Sequence, residues 1–293
     1  MLPGGLEQAV VAFAGSSGRA ALPWRVDRDP WAVLVSEVML AQTQVARVEG
    51  PFRAFLWRFP APAACAGAPL GDVLRSWQGL GYNRRAVGLH RTAVRIRDEH
   101  GGDVPATLAE LTALPGVGPY TARAVLTFAF RTDAAPVDTN IARVLARAVA
   151  GAPLSRSAAQ LLADRLLPAG RGTAWNEGLM DLGATLCTAA QPRCDACPLA
   201  AVRLCVWHAA GSPAPDPARG GVGARRGQGR FEGSDRQRRG RLVTAACSAP
   251  VPRDEVPLVA GCPEDQELAL RIAADLVGEG LLAWTEEGDL VPA

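Results

Sequence analysis

The sequence contains no lysine, so all 31 of its basic residues are arginine. Enzymes that form a Schiff base with their substrate need an amine, and lysine is the side chain that supplies it. The absence therefore excludes lysine-dependent covalent chemistry from the side chains of this protein. A strong compositional bias of the genome also explains why lysine is missing, but the chemical consequence is the same.

Long apolar runs are missing as well. No run approaches the roughly 20 apolar residues that a membrane-spanning helix requires. The segment from Met1 to Ser17 has no basic n-region and contains Glu7, so it does not resemble a signal peptide. We therefore expect an intracellular protein with no membrane partner.

The formal net charge of +2 is unevenly distributed along the 293 residues. The tail from Arg253 to Ala293 has ten acidic residues against only two arginines. The rest of the chain is therefore clearly basic, and a basic surface suits a polyanionic partner such as nucleic acid.

The apolar periodicity predicts an all-α domain over residues 1–208. Short turns that contain Gly or Pro separate the helical stretches. Those stretches are 68–77, 84–99, 106–113, 119–130, 139–149 and 155–167. Residues 209–240 are rich in Gly, Pro and Arg and lack apolar periodicity, which indicates a linker. Its arginines, among them Arg225 and Arg226, are explained better by a solvated linker than by phosphate contacts.

Residues 241–293 are apolar again and predict a small C-terminal domain. Leu268, Ile272 and Leu276 indicate a helix. Two short apolar segments flank the turn 286–289 and predict a hairpin. The expected architecture of this tail is a small α/β or winged-helix-like domain.

Four of the seven cysteines lie within nineteen residues and form the cluster Cys187, Cys194, Cys197 and Cys205. Such a spacing brings four thiolates to one metal centre. A Cys₄ zinc site is the simplest alternative, but zinc ribbons usually contain two Cys-x2-Cys pairs and this run contains one. The spacing therefore favours a [4Fe–4S] cluster that staples the loop 187–205.

The segment Leu114–Gly118 separates two predicted helices and contains two glycines. Gly116 and Gly118 permit positive φ and let a phosphate approach the backbone. The amides at the start of the next helix favour an anion. This pattern is typical of a helix-hairpin-helix, which clamps the DNA backbone independently of sequence.

Two carboxylates are candidates for catalysis, and each has a purely structural alternative. Asp138 directly precedes a helical run, so capping that helix is the more economical interpretation of its position. Its functional alternative is to stabilise an oxocarbenium ion. Glu37 lies in a strongly apolar helix, and it is either on a solvated face or buried and protonated as a general acid.

Six ordered segments resemble the MutY family of adenine DNA glycosylases, within the helix-hairpin-helix glycosylase superfamily. The resemblance covers roughly residues 18–208 and includes both carboxylates, the hairpin and the approach to the cysteines. The segments are Leu22–Arg25, Ser36–Val45, Gly79–Tyr82, Leu114–Tyr120, Val137–Asn140 and Met180–Ala184. So many matches in the same order are not expected by chance.

The resemblance implies the chemistry of the site. Glu37 would protonate N7 of adenine, and Asp138 would stabilise the deoxyribose cation. Asn140 and Tyr120 would orient that centre. Bifunctional relatives of the endonuclease III type have a lysine at the position of Tyr120, and this chain has none. The resemblance therefore implies a monofunctional glycosylase that leaves an abasic site.

The resemblance also implies which residues meet the DNA. Those that would face the 8-oxoguanine strand are Gln42, Thr43 and Leu80, and Tyr82 would be wedged into the base stack. Those that would line the pocket for the flipped adenine are Trp24, Arg25 and Glu177. It further implies a two-lobed helical fold, a [4Fe–4S] cluster on the four cysteines, and double-stranded DNA with A:8-oxoguanine or A:G mispairs as partner. We expect a monomer, located in the cytoplasm at the bacterial nucleoid.

Three features depart from the family pattern. Ala41 replaces the first glutamine of the usual Gln-Gln pair, the last cysteine gap is longer than usual, and the tail does not resemble a Nudix-like domain. A thymine or uracil mismatch glycosylase on the same fold is the main alternative, because some of these also have tyrosine at the position of Tyr120. A non-catalytic DNA-binding or iron–sulfur redox protein is a second alternative, against which both carboxylates argue.

Overall fold

Helices account for most of the structure. The computed structural model describes residues 5–16, 19–222 and 229–293. Arg225 and Arg226 of the predicted linker, and Met1 and Ser17 at the ends of the N-terminal segment, lie outside these ranges. None of the described helices has both the length and the apolar character that a bilayer crossing requires.

The helices of the first 209 residues lie close to the stretches that apolar periodicity predicts. They are α1 Leu6–Ser16, α2 Pro23–Val26, α3 Pro30–Leu40, α4 Val45–Arg58, α5 Pro62–Ala66, α6 Leu70–Ser76, α7 Arg84–Glu99, α8 Leu108–Ala113, α9 Pro119–Phe128, α10 Thr139–Leu145, α11 Arg156–Leu166, α12 Gly172–Thr185, α13 Pro198–Ala201 and α14 Val206–Ala209. Several begin with proline, whose fixed φ suits the first turn. A π-helical turn, Ala146–Ala150, follows α10 directly.

The chain folds as two units, each with its own core. Unit 1 comprises Met1–Val33, Ala106–Ala109 and Gly118–Gly227, and unit 2 comprises Leu34–Pro105, Glu110–Val117 and Gln228–Ala293.

In unit 1, α1 packs on α12 and α12 packs on α10. The first contact requires Gly178, because a Cβ there would lie 2.3 Å from the carbonyl oxygen of Val10. Leu6, Trp175 and Leu182 are buried in the core that these helices enclose. This packing fixes the positions of α10 and α12, which contain several polar residues of the candidate site.

In unit 2, aromatic side chains form the centre of the core. Phe55 on α4 makes edge-to-face contacts with Phe59 and with Trp77, with ring centroids 4.9 Å and 6.2 Å apart. Such contacts are favourable beyond the area that they bury. This core supports two loops, one after α3 and one before α7.

The C-terminal segment of unit 2 follows the order helix, strand, helix, helix, strand, strand. Its elements are α15 Asp235–Ser248, β1 Val251–Pro252, α16 Val256–Ala260, α17 Gln266–Gly278, β2 Leu282–Trp284 and β3 Asp289–Pro292. The strands form one antiparallel sheet in the order β1–β3–β2. The segment packs on α6, where Arg75 Nη1 donates to the carbonyl oxygen of Cys247 at 2.8 Å.

The predicted linker 209–240 contains ordered structure at both described ends. Helix α15 begins five residues before residue 240, with Ser234 as its N-cap. Its first turns are polar and arginine-rich, so apolar periodicity does not reveal them, and the buried face begins only at Leu242. At the other end, Asp216 forms an ion pair with the buried Arg147, and Val222 N donates to the carbonyl oxygen of Leu154 at 3.0 Å.

Candidate active site

Asp138 caps helix α10 with one carboxylate oxygen and leaves the other for a second partner. Its Oδ1 accepts from the backbone N of Ile141 at 2.7 Å, which is the geometry of an N-cap. Its Oδ2 accepts from Asn140 Nδ2, also at 2.7 Å. The structural interpretation of Asp138 is therefore confirmed. Because both oxygens accept hydrogen bonds, the surroundings suit an ionised carboxylate.

Two opposing influences act on the pKa of Asp138. Burial raises this pKa above the ordinary value for aspartate, while hydrogen bonds from Ile141 and Asn140 and the charge of Arg143 lower it. Burial is the larger effect, and the pKa is raised overall. An ionised Asp138 is therefore held at a cost in free energy, which a cation next to it would relieve.

A chain of hydrogen bonds connects Asp138 to the cysteine loop. Asn140 donates to Asp138, and its own Oδ1 accepts from Arg143 Nη2 at 2.7 Å. Arg143 also donates to the carbonyl oxygens of Gly183 and Cys187, both at 2.7 Å. Since Arg143 fixes the amide orientation of Asn140, the Nδ2 group has to point towards Asp138. Gly183 is needed for this contact, because a Cβ there would lie 2.6 Å from Asn140 Cβ.

Arg147 joins the same region from the π-helical turn. It is 1 % exposed and makes a two-point ion pair with Asp216, at 2.8 Å and 2.6 Å. Its Nη1 donates to Cys187 Sγ at 3.3 Å, and its guanidinium lies 5.2 Å from the ring centroid of Trp207. Arg147 therefore ties the segment around Asp216 to the cysteine loop.

The four clustered cysteines lie on one loop that follows α12. Cys194 begins a short 3₁₀ turn, and Cys197 and Cys205 immediately precede α13 and α14. Burial raises the pKa of Cys205, and the charges of the other three thiols raise it further. The thiols are therefore close enough to influence one another, and none forms a disulfide. Within the described residues, no group of three or more His, Cys, Asp or Glu side chains has the geometry to hold a single metal ion.

The predicted pocket residues of unit 1 are held by ion pairs that join α12 to Arg25 on α2 and to Arg28 just after it. Arg25 makes a two-point ion pair with Asp181, with both N–O distances 2.8 Å, and Arg28 donates to Glu177 Oε1 at 2.9 Å. Trp24 is buried, with 7 % of its surface exposed. The guanidinium of Arg25 is thus committed to Asp181, a buried residue that the sequence prediction did not include in the site.

The two glycines of the hairpin between α8 and α9 have different backbone conformations. Gly116 has φ +77°, a backbone conformation that residues with a side chain rarely adopt, so glycine is favoured there. Gly118 instead has φ −88° as the N-cap of α9, so the positive φ that glycine permits is not used there. The extended backbone of an N-cap is open to many residues, so only Gly116 is fixed by its conformation. Tyr120 follows on the first turn of α9.

Glu37 lies on α3 in unit 2 and is buried, with 7 % of its surface exposed. Ser36 beside it is also buried. The alternative of a solvated face is therefore excluded. A buried carboxyl group in an apolar helix is the arrangement that general-acid chemistry requires.

Two of the residues predicted to contact the DNA have left-handed backbone conformations. Gln42 has φ +64° and Tyr82 has φ +50°. A side chain in this region costs roughly 1–2 kcal/mol, and such strain is concentrated at functional sites. Tyr82 is 40 % exposed and Leu80 is buried, whereas Thr43 accepts a hydrogen bond from Arg85 Nη2 at 3.0 Å.

The candidate residues are divided between the units. Unit 1 contains those for the sugar cation, the pocket and the metal, namely Asp138, Asn140, Tyr120, Trp24, Arg25, Glu177 and the four clustered cysteines. Unit 2 contains Glu37, Gln42, Thr43, Leu80, Tyr82 and Gly116. The sequence prediction missed Arg143 and Arg85, of which only Arg143 gives a signal, because it lies one helical turn after Asn140.

Known proteins resemble this chain in sequence. The helix-hairpin-helix motif family matches residues 99–128. Adenine DNA glycosylase of Mycolicibacterium smegmatis is 43 % identical over 277 residues, which cover 92 % of this chain and 90 % of the relative. The human adenine DNA glycosylase is 40 % identical over 210 residues, which cover 65 % of this chain and 38 % of the relative. The mycobacterial match is long enough to include much of the C-terminal segment.

Solved structures give the same fold. A thermostable thymine-DNA glycosylase is 31 % identical, with a TM-score of 0.64, over 69 % of this chain and 94 % of the other. Endonuclease III in a non-covalent DNA complex is 25 % identical, with a TM-score of 0.59, over 70 % of this chain and 96 % of the other. The chain therefore has the mostly helical helix-hairpin-helix glycosylase fold and belongs to the adenine DNA glycosylase family, enzymes that hydrolyse N-glycosyl bonds.

Proposed function

We propose that the protein removes adenine mispaired with 8-oxoguanine or guanine, as a monofunctional glycosylase of base excision repair that leaves an abasic site. The observation that carries this proposal is the environment of Asp138. Both carboxylate oxygens of Asp138 accept hydrogen bonds from N–H groups, and burial raises the pKa of this residue. A neighbouring cation would therefore stabilise its ionised form. The deoxyribose becomes such a cation when the bond to adenine breaks.

The two carboxyl groups have different parts in the proposed reaction. Glu37 donates a proton to N7 of adenine, which makes the base a better leaving group. Asp138 stabilises the positive charge that develops on the sugar. Asn140 fixes the orientation of the Asp138 carboxylate, and Tyr120 borders that centre. Water then adds to the sugar and completes the hydrolysis.

Composition supports the absence of a strand-cleaving activity. A β-lyase of the endonuclease III type needs an amine that forms a Schiff base with the sugar. The chain has no lysine and has Tyr120 at the family position of that amine, which leaves only the N-terminal amine. The proposed product is therefore an abasic site in an intact strand.

The donor set of the loop 187–205 fits a [4Fe–4S] cluster held by Cys187, Cys194, Cys197 and Cys205. Four free thiols on one loop are the donor set that a [4Fe–4S] cluster uses. The cluster supplies a structural staple when bound. The N–H groups of Arg147 face Cys187 Sγ and contribute the hydrogen bond and positive charge that stabilise a thiolate ligand.

Iron analysis tests this proposal. We expect the purified protein to contain iron and labile sulfide with a broad visible absorbance. Cys194→Ser and Cys205→Ser should both lose them, because each removes one of four thiolates. Cys262→Ser, which changes a cysteine of unit 2, is the matched control and should retain them. Stoichiometric zinc in place of iron would contradict the assignment.

The proposed DNA contacts use both units. Gln42, Thr43 and Leu80 face the strand opposite the excised base, and Tyr82 is wedged into the base stack. The residues that line the adenine pocket are Trp24, Arg25 and Glu177. Gly116 and Gly118 belong to the turn that approaches the DNA backbone. The proposed partner is double-stranded DNA, bound by a monomer at the bacterial nucleoid.

The C-terminal segment is proposed to be a winged-helix-like module. Its order of elements and the strand order β1–β3–β2 support this proposal. Its described contacts with α6, between Arg75 and Cys247 and between Gly71 and Pro292, indicate a supporting role within unit 2. Nudix-like checking of the lesion is not part of this proposal.

A base-release assay on a panel of duplexes tests the function. We expect release of adenine from A:8-oxoguanine and A:G, without strand cleavage and without release from T:G or U:G. The similarity to a thymine-DNA glycosylase, with a TM-score of 0.64, makes thymine release the second candidate function. Release of thymine but not adenine would replace the first proposal by the second.

A further inference from the structure

The family resemblance gives no role to Arg85. Its guanidinium donates hydrogen bonds to acceptors on two separate loops. Arg85 is the second residue of α7. Its Nη1 donates to the carbonyl oxygens of Val38, Met39 and Ala41, at 2.8, 2.9 and 2.6 Å. Its Nη2 donates to Thr43 Oγ1 and to the carbonyl oxygens of Leu80 and Gly81, at 3.0, 3.3 and 3.0 Å. One guanidinium therefore joins the loop after α3 to the loop before α7.

These contacts lie directly beside the two strained residues. The acceptors on Ala41 and Thr43 are on either side of Gln42, and those on Leu80 and Gly81 immediately precede Tyr82. Both Gln42 and Tyr82 have positive φ, a conformation that non-glycine residues keep only where their surroundings impose it. Arg85 is placed to impose it on both.

The surroundings of Arg85 favour this positioning role over a simple ion pair. Within the described residues no carboxylate forms an ion pair with Arg85, and its polar partners are carbonyl groups and one hydroxyl. The guanidinium lies 5.4 Å from the ring centroid of Trp77 and 5.5 Å from that of Tyr82. Burial lowers the pKa of Arg85 to about 10, so the group is charged at neutral pH. Lysine has no planar fork to reach acceptors on two loops at once.

We propose that Arg85 is a positioning residue that sets the opposite-base preference of the protein, by holding Gln42 and Tyr82 in their left-handed conformations. This inference rests on the proposed function, which assigns Gln42 to the strand opposite the excised base and Tyr82 to the base stack. It makes Arg85 a determinant of specificity that acts through the two loops and not by direct contact with the opposite base. The carbonyl of Ala41 takes part whatever its side chain, so the departure from the Gln-Gln pair leaves this arrangement intact.

The test is the affinity for four duplexes that contain 2′-fluoro-2′-deoxyadenosine opposite 8-oxoguanine, G, C or T. The fluorine destabilises the sugar cation and prevents cleavage. We define the spread as the ratio of the strongest to the weakest of the four affinities. For Arg85→Lys and Arg85→Gln we expect this spread to narrow by about tenfold, equivalent to about 1.4 kcal/mol. Arg97→Lys is the matched control on α7, because Arg97 pairs with the exposed Asp98, and it should keep the wild-type spread.

Each other outcome overturns the proposal. Equal weakening on all four duplexes shows a merely structural role, and an unchanged spread in Arg85→Lys shows that the fork is not needed. Equal binding of the four duplexes by the wild-type protein shows that these loops do not distinguish the opposite base. The proposed function fails separately, if the wild-type protein releases no adenine from the natural duplexes.

Discussion

Asp138→Asn should reduce adenine release by roughly 10²–10³-fold or more, a loss typical for removal of one preorganised electrostatic contact. The substitution removes the negative charge that opposes the sugar cation. It keeps the cap, because asparagine is as good an N-cap as aspartate. It loses one hydrogen bond, since Arg143 holds the Asn140 amide with its Nδ2 towards position 138. The measurement is the single-turnover rate of base release from an A:8-oxoguanine duplex.

The control for this variant is another aspartate with the same structural task. Asp265 caps α17 by accepting from the backbone N of Leu268 at 2.9 Å, as Asp138 caps α10. Asp265→Asn should therefore leave base release at the wild-type rate. If both variants are equally active, Asp138 is a helix cap only and the catalytic assignment is wrong.

The difference in stability between Asp138→Asn and the wild-type protein should depend on pH. Burial raises the pKa of Asp138 in the folded state above its value in the unfolded chain. At low pH Asp138 is protonated, and the fold buries it without the cost of burying a charge. This contribution to stability is lost as the pH rises through the folded-state pKa, because the buried group then ionises. The wild-type protein should thus lose stability relative to the variant between acidic and neutral pH, because asparagine does not titrate there.

The sequence was sufficient to predict a mostly helical fold and the helix cap at Asp138. Apolar periodicity revealed helices such as α7 and α9 because their buried faces repeat every three or four residues. The position of Asp138 before such a run correctly predicted its cap. The hydrogen bond from Asn140 to the other carboxylate oxygen of Asp138 was not predictable. The orientation of Asn140 depends on Arg143 and on the close packing of Gly183 against Asn140.

The features that the sequence did not reveal mostly involve arginine. Arg143 and Arg147 are buried, although arginine is usually exposed, because carbonyl groups and Asp216 from distant segments surround them. Arg85 bonds carbonyl oxygens, which leave no trace in the sequence because every residue has one. Helix α15 begins with arginines and was therefore assigned to the linker. In a chain without lysine, composition does not separate these buried arginines from the solvated ones.

Glu37→Gln should lower the single-turnover rate of adenine release by roughly 10²–10⁴-fold, the usual contribution of a general acid. Glutamine has nearly the same shape and cannot donate a proton to N7. Because Glu37 is buried, with only 7 % of the residue exposed, an unprotonated adenine would have to leave without help from solvent at this position.

A duplex that contains 7-deazaadenine separates this chemical loss from a loss of binding. The base lacks N7, so neither the wild-type protein nor the variant can release it by the proposed route, and its affinity can be measured directly. Glu37→Gln should bind it with nearly the wild-type affinity. Weakened binding in proportion to the lost rate would instead make Glu37 a residue that shapes the site, and Asp138 would then stabilise the departure of adenine without a general acid at this position.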